Sequence, residues 1–245
     1  MGEYLLNNMA ELIMMDGGGK HSMDLKKTNE RLTKDGSWKK QRIIVILPTA
    51  SMISAKVALS HWNLIFPPNN GVVRLLAIGA EVGAAYSEAV ESILAHPELS
   101  TWEYILTIES DNMPPADGVL KLLKDMDEHP EFDCIGGLYF CKGDGGCAHI
   151  WGDPKDPVLN FRPQVPMIDT VQECNGSSMG FHLWRMKMFK DKKIRRPIFK
   201  TTAGSEGVGT QDLYAWSDLK KHGYRTAVDT SVKVGHWEES TQTCW

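Results

Sequence analysis

Residues Trp102–Pro115 read WEYILTIESDNMPP, and the fold follows from how this stretch is parsed. Tyr104-Ile105-Leu106-Thr107-Ile108 is a short apolar, β-branched run of the kind that forms a buried strand in a parallel sheet. Glu109, Ser110, Asp111 and Asn112 come directly at its end, and Pro114-Pro115 stops the extended chain. From Asp117 to Met126 the apolar residues Val119, Leu122, Leu123 and Met126 recur at helical spacing. Two carboxylates, Glu109 and Asp111, therefore stand at the carboxyl end of a buried strand just before a helix. Open α/β sheets bind ligands at that edge, and acids two apart in an extended segment share a face. The plainer alternative is an acidic turn that caps the helix; the sharper one is a metal and diphosphate site.

The flanking chain repeats the pattern. Ile43–Leu47 is a buried strand broken by Pro48-Thr49-Ala50-Ser51, and Ser51 or Ser54 is placed to cap a helix carrying Val57, Ala58, Leu59 and Trp62. After the turn cluster Pro67–Gly71, Val72–Ile78 reads as a second strand. Ala80–Ala95 then reads as a helix with Ala84, Ala85, Ala89, Val90, Ile93 and Leu94 inside. Asp133–Phe140 is a further strand. Strand alternating with helix predicts a single α/β domain, a mostly parallel central sheet flanked by helices. We place that domain at residues 42–245, behind an N-terminal arm (1–41), helical or flexible, whose GGGKHS fails the phosphate-loop pattern because Lys20 precedes His21.

Composition narrows the function classes. The 245 residues carry a net charge of −4, so nothing global points to nucleic acid or membrane. There is no run of apolar residues long enough for a membrane span, and the start is a poor secretory signal. The five cysteines form no CxxC pair; Cys141, Cys147 and His149 lack the fourth ligand and usual spacing of a zinc site, which points to reduced thiols in a cytoplasmic protein, host cytoplasm if viral.

The second half is looser. Residues 141–171 are rich in glycine and proline and suit a substrate-facing excursion. Asn175–Gly180 leads back into the core at Phe181-His182-Leu183-Trp184. Residues 185–200 hold eight basic residues against one acid, Asp191, and Gly204–Thr210 reads as a mobile glycine-rich loop. Gln211-Asp212 opens a helix running through Lys221, and Arg225–Val234 is a last strand ended by Gly235-His236-Trp237. Taken singly, Asp212 is an ordinary helix-start acid and His236 an ordinary surface histidine. Together with Glu109 and Asp111 they form an ordered set.

That order resembles the GT-A glycosyltransferases, in particular their family-2-like group. RIIVILPTAS matches the first strand whose Pro-Thr step meets the nucleotide base, ESDN the acid-x-acid motif, NGSSMGFHLWRMKMF the acceptor segment, and GTQDLYAWSDLKKHGYRTAVDTSVKVGH the block that runs from catalytic acid to metal-binding histidine. The resemblance covers roughly residues 42–237. It implies a nucleotide-sugar half (42–140) and an acceptor and catalytic half (141–245). It implies donor contacts at Pro48, Thr49, Ala50, Glu109, Ser110 and Asp111, with Glu81 standing in for an absent base-reading aspartate and UDP the default nucleotide. It also implies a Mn²⁺ (or Mg²⁺) ion on Asp111 and His236, and transfer with inversion. A mixed oxygen and imidazole shell favours Mn²⁺ over Mg²⁺, and a cation there offsets charge on a leaving diphosphate. Asp212, with an unperturbed pKa of ~3.9, is then the general base. Its neighbour Gln211 replaces the family's usual second acid, which removes any role needing two charges.

The acceptor is read from Trp151, Gly176, Ser177, Trp184, Arg195 and Arg196. Eight positive groups beside that segment would attract a polyanion, and tryptophans stack on sugars or unstacked bases. Small transferases of this texture are similar to phage enzymes that glycosylate hydroxymethylated pyrimidines, which makes DNA the expected partner, its target base turned out of the stack. Two competing readings are a degenerate domain that only binds sugar or nucleic acid, with Gln211 as the lesion, and a nucleotidyltransferase. The second wants a basic glycine-rich loop after the first strand, where LPTASMISAK offers only Lys56.

Overall fold

The computed structural model describes residues 40–69, 71–204 and 207–245; the arm read over 1–41 lies outside them for residues 1–39. Strands β1 (Ile43–Thr49), β2 (Val72–Ile78), β3 (Tyr104–Ile108), β5 (Cys134–Leu138), β7 (Val171–Cys174), β9 (Phe181–Arg185) and β12 (Thr226–Lys233) form one seven-stranded sheet in the order β2-β1-β3-β9-β5-β12-β7. β1 is parallel to β2 and β3, and β5 is parallel to β12. β9 is antiparallel to both β3 and β5, so those two share a direction; β7 runs against β12. Five strands thus point one way and two the other. The mostly parallel α/β sheet expected from the alternation is the observed fold.

Alternation along β1 explains why the sheet is covered on both faces. Ile44 and Ile46 join a cluster with Tyr86, Val90 and Ile93 of helix α2 (Val82–Ala95) and with Ala215, Trp216 and Leu219 of helix α5 (Gln211–Leu219). Ile43 and Val45 join the opposite cluster, with Val119, Leu122, Leu123 and Met126 of helix α3 (Gly118–Glu128). Each fully buried side chain of this kind contributes about 1.5–3 kcal/mol relative to exposure. The short helix α1 (Ala55–Trp62) buries only Val57; Leu59 is 39% and Trp62 88% exposed, unlike the apolar face its sequence suggested.

The basic segment buries its apolar residues while Lys187, Lys190, Lys192, Lys193 and Lys200 stay exposed. Met186, Met188 and Phe189, in the single turn α4 (Met186–Phe189), are buried, and so are Ile194, Ile198 and Phe199. The glycine-rich stretch after it is an antiparallel ladder of β10 (Thr202–Gly204) and β11 (Gly207–Gly209). Two-residue strands finish the site edge: β6 (Ile150–Trp151) pairs with β8 (Gly176–Ser177). β4 (Asn112–Met113) pairs with β13 (Gly235–Glu238), which also carries β14 (Thr243–Cys244).

Candidate functional site

The acidic turn after β3 is held from three sides. Asn112 N–H donates to Glu109 O at 3.2 Å, Glu109 N–H to Gly180 O at 3.1 Å, and Trp237 N–H to Asp111 O at 2.7 Å. The antiparallel register of β4 and β13 sets Gly235 opposite Met113 and His236 opposite Asn112. Gly180 has to lack a side chain, because a Cβ there would meet Asn112 Oδ1 at 2.3 Å and the Tyr139 hydroxyl at 2.5 Å.

This pairing carries His236 to Asp111. His236 Nε2 lies 3.4 Å from Asp111 Oδ2. Nδ1 of the same ring is 2.7 Å from Phe140 O, a carbonyl that only accepts, so Nδ1 donates there and the ring is held with Nε2 facing the carboxylate. Lys142 Nζ lies on the same Oδ2 at 2.5 Å. Burial alone would raise the Asp111 pKa, but hydrogen bonds and charge from His236 and Lys142 outweigh it and hold the group at about 2.

Two further carboxylates act on the same space. Burial, with the charges of Asp111 and Asp212, pushes Glu109 up to about 8. Asp212 is 5% exposed at the start of α5; burial raises its pKa too, against the hydrogen bonds of Thr210 and of Leu213 N–H, the latter to Oδ1 at 2.8 Å. Glu109, Asp111, Asp212 and His236 are therefore brought to one sheet edge. The register of Ile46 with Thr107 takes Pro48 and Thr49 to that same edge, with Ala50 exposed just beyond; Ser110 lies inside the turn and Gln211, half-buried, opens α5.

Other expected residues are committed elsewhere. Glu81 caps α2: its carboxylate accepts from Gly83 N–H and Ala84 N–H at 3.0 Å each and from Thr201 Oγ1 at 2.7 Å, which leaves it no role as a base reader. Trp184 is fully buried, stacked on Trp216 at 5.4 Å, and its Nε1 donates to Thr107 Oγ1, so it is core and not an acceptor platform. Gly176 and Ser177 are buried in β8, where the Ser177 hydroxyl is 2.8 Å from that of Thr226. Arg195 stacks on Tyr214 and donates to Tyr214 O, while Arg196 donates to Phe189 O at 2.6 Å and pairs with Glu91 at 2.9 Å. These two arginines tie the basic segment to α2 and α5 and are not a free polyanion face. Trp151 stays at the rim, its ring 5.6 Å from His149, which is itself 6.0 Å from His236. Lys56, the one cation after β1, lies 4.3 Å over the Trp237 ring.

Three participants were not expected. Lys142 sat in a stretch read only as loop. Tyr139 stacks on His149 at 4.3 Å and meets His236 edge-on at 5.4 Å, and its hydroxyl accepts from Gly180 N–H. Tyr86, fully buried on α2, has a hydroxyl without a hydrogen-bond partner among the described residues. Burial first, then the charges of Glu109, Asp111 and Asp212, push its pKa well above the ordinary value. Its helical spacing reads as core, and only its hydroxyl hints otherwise.

A cation seat is chemically reasonable at Asp111 and His236, since an oxygen and an imidazole nitrogen face one point and an ammonium already answers the carboxylate there. Among the described residues no group of three or more His, Cys, Asp or Glu side chains is arranged to hold a metal ion. A divalent ion seated on this pair would take its remaining ligands from a bound phosphate or water, the usual habit of Mg²⁺ at phosphate sites.

The class these elements define is an α/β protein with an acidic cluster at the carboxyl edge of its sheet. Among solved structures it is similar to "A197 from STIV", with 17% identity, a TM-score of 0.57, and coverage of 83% of this chain and 92% of that one. At that identity the likeness concerns the fold alone. No protein-family model matches the chain, and no curated protein does either. Among the described residues no helix is long and apolar enough to cross a membrane.

Proposed function

We propose that this chain is a GT-A type glycosyltransferase that moves a sugar from a nucleotide-sugar donor to an acceptor hydroxyl. The observation that carries the reading is the 3.4 Å approach of Asp111 and His236, residues far apart in sequence, beside two more carboxylates at the ligand-binding edge of the sheet. Asp111 Oδ2 and His236 Nε2 would hold a divalent ion, Mn²⁺ or Mg²⁺, which supplies charge for the donor diphosphate. Pro48 and Thr49 border the place for the nucleoside, and UDP-sugars are the first donors to test.

In the transfer, Asp212 accepts the proton of the acceptor hydroxyl. The acceptor oxygen bonds to the anomeric carbon as the bond from that carbon to the diphosphate breaks, and the nucleoside diphosphate departs with the electron pair. Attack opposite the leaving group inverts the anomeric centre. The raised pKa of Asp212 strengthens it as a base so long as it is ionised. Glu109, held protonated at neutral pH, is a hydrogen-bond donor to a donor-sugar or ribose oxygen rather than a second negative charge. The acceptor lies toward Trp151 and the 141–171 excursion. Of the eight basic residues that point to DNA as that acceptor, Arg195 and Arg196 are engaged with Tyr214, Phe189 and Glu91, so the lysines of the segment are the groups left to meet a polyanion.

The experiment is donor turnover. A panel of nucleotide sugars is incubated with the protein and Mn²⁺, and nucleoside diphosphate release is followed. The expected result is slow, metal-dependent release from one donor, lost in Asp111→Ala. Absence of release from every donor, with donor binding retained, favours the binding-module reading instead.

A further inference from the structure

A pair of thiols beside the site stands within reach of bonding. Cys141 and Cys147 flank the turn Lys142-Gly143-Asp144-Gly145-Gly146. Cys141 N–H donates to Cys147 O at 2.9 Å, and Phe140 and Ala148 form a bridge just outside them, so the backbones are already joined as a hairpin. Both cysteines are free, with their sulfurs 3.5 Å apart, and Cys141 Sγ is 3.4 Å from His149 Nε2. A disulfide needs the sulfurs at about 2.05 Å, so closure requires a movement of little more than a bond length. The residue between them that reaches the site is Lys142, whose ammonium sits on Asp111.

We propose that Cys141 and Cys147 are a redox pair: a hydroperoxide converts them to a disulfide that fixes the hairpin with Lys142 on Asp111, closing the cation seat. The consequence for the cation rests on the transferase reading; the modification and the position of Lys142 do not. In the first step the Cys147 thiolate attacks the peroxide O–O bond, giving a sulfenic acid and releasing water or an alcohol. In the second the Cys141 sulfur displaces the sulfenic oxygen as a second molecule of water and the S–S bond forms. The peroxide is reduced, the two thiols are oxidised, and their protons leave in those products. A dithiol reverses the change by exchange. Cys141 is the resolving partner because burial and the neighbouring sulfur push its thiol up to about 11 and leave it protonated. The glycines account for the hinge. Gly143 and Gly145 adopt left-handed φ values of +99° and +76°, and on this proposal the reduced hairpin exchanges between the observed contact and one in which Lys142 has left Asp111.

The test uses the full chain without added metal. After peroxide treatment, free thiols are alkylated, peptides are mapped without reduction, and Lys142 acylation by an amine-reactive ester is timed. The expected result is a Cys141–Cys147 link, acylation of Lys142 slowed severalfold, reversal by dithiothreitol, and neither change in Cys141→Ser or Cys147→Ser. Cys141 and Cys147 both still alkylated after peroxide overturn the proposal, as does a link that leaves Lys142 equally reactive, or stoichiometric zinc on the reduced thiols. A Mn²⁺ titration then reads the consequence. If oxidation leaves Lys142 off Asp111 in one molecule in ten, apparent affinity is about tenfold below that of a fully open seat, and the fall on oxidation is the ratio of the two open populations. A reduced protein that binds no Mn²⁺ counts against the transferase reading, while the link and the Lys142 protection still decide the redox pair.

Discussion

Asp111 Oδ2 and His236 Nε2 meet at 3.4 Å because two strands of two and four residues pair in a register that sets His236 opposite Asn112. The ring is oriented by its bond to Phe140 O, and the carboxylate is kept ionised by the two nitrogens that face it. An imidazole nitrogen and a low-pKa carboxylate, both fixed from behind, are the pair that the proposed function uses as its cation seat.

Asp212→Asn should leave donor binding within about twofold and lower transfer by about 10²-fold or more, the usual contribution of a general base. Donor affinity by calorimetry and turnover with an acceptor separate the two effects. Transfer that persists would give the proton to another group.

Glu109 predicts a pH dependence. Its ordinary pKa is 4.5 and the fold raises it to about 8. Between those values the folded chain keeps a proton that the unfolded chain has lost, so stability present below 4.5 declines as the pH rises toward about 8. Glu109→Gln should remove that part of the slope. Melting temperatures of both proteins across the window give the difference; parallel curves would contradict the raised pKa.

Tyr86→Phe removes a buried hydroxyl that has no partner among the described residues. Relieving an unpaired polar group is neutral to stabilising by about 1 kcal/mol, so the variant should melt no lower than the parent. A clear loss of stability would mean that the hydroxyl is paired.

Trp184→Ala should cost about 3–5 kcal/mol of folding free energy, as for other buried tryptophans, measured by urea unfolding. Charge reversal at Arg195 should also act on stability, because its guanidinium bonds Tyr214 O and Ser217 Oγ. Neither should produce a salt-sensitive change in DNA affinity at unchanged fold.

The strands at 72–78 and 104–108 were legible to the residue, because period-two and continuous apolar runs leave few alternatives. The place of β9 was not. Phe181–Trp184 reads only as a return into the core, and nothing local says that it is a strand inserted antiparallel between β3 and β5. Glu109, Asp111, Asp212 and His236 could be picked from their positions at element ends, where side chains leave the core. Trp184 and Arg195 misled for one reason: a large aromatic or a guanidinium serves equally as ligand contact or as packing, and only the tertiary neighbours decide. Glu81 looked like a spare acid and is a helix cap. Lys142 carried no local signal, since its importance comes entirely from a hairpin that bends it onto Asp111.

The central claim is that Asp111 and His236 share one cation next to a diphosphate. Mn²⁺ binding, followed by paramagnetic resonance with nucleoside diphosphate present, tests it in the wild type, Asp111→Asn and His236→Gln. The account predicts one bound ion in the reduced wild type and affinity at least about tenfold weaker in either variant, a change of about 1.4 kcal/mol. Equal Mn²⁺ affinity in all three proteins would contradict it.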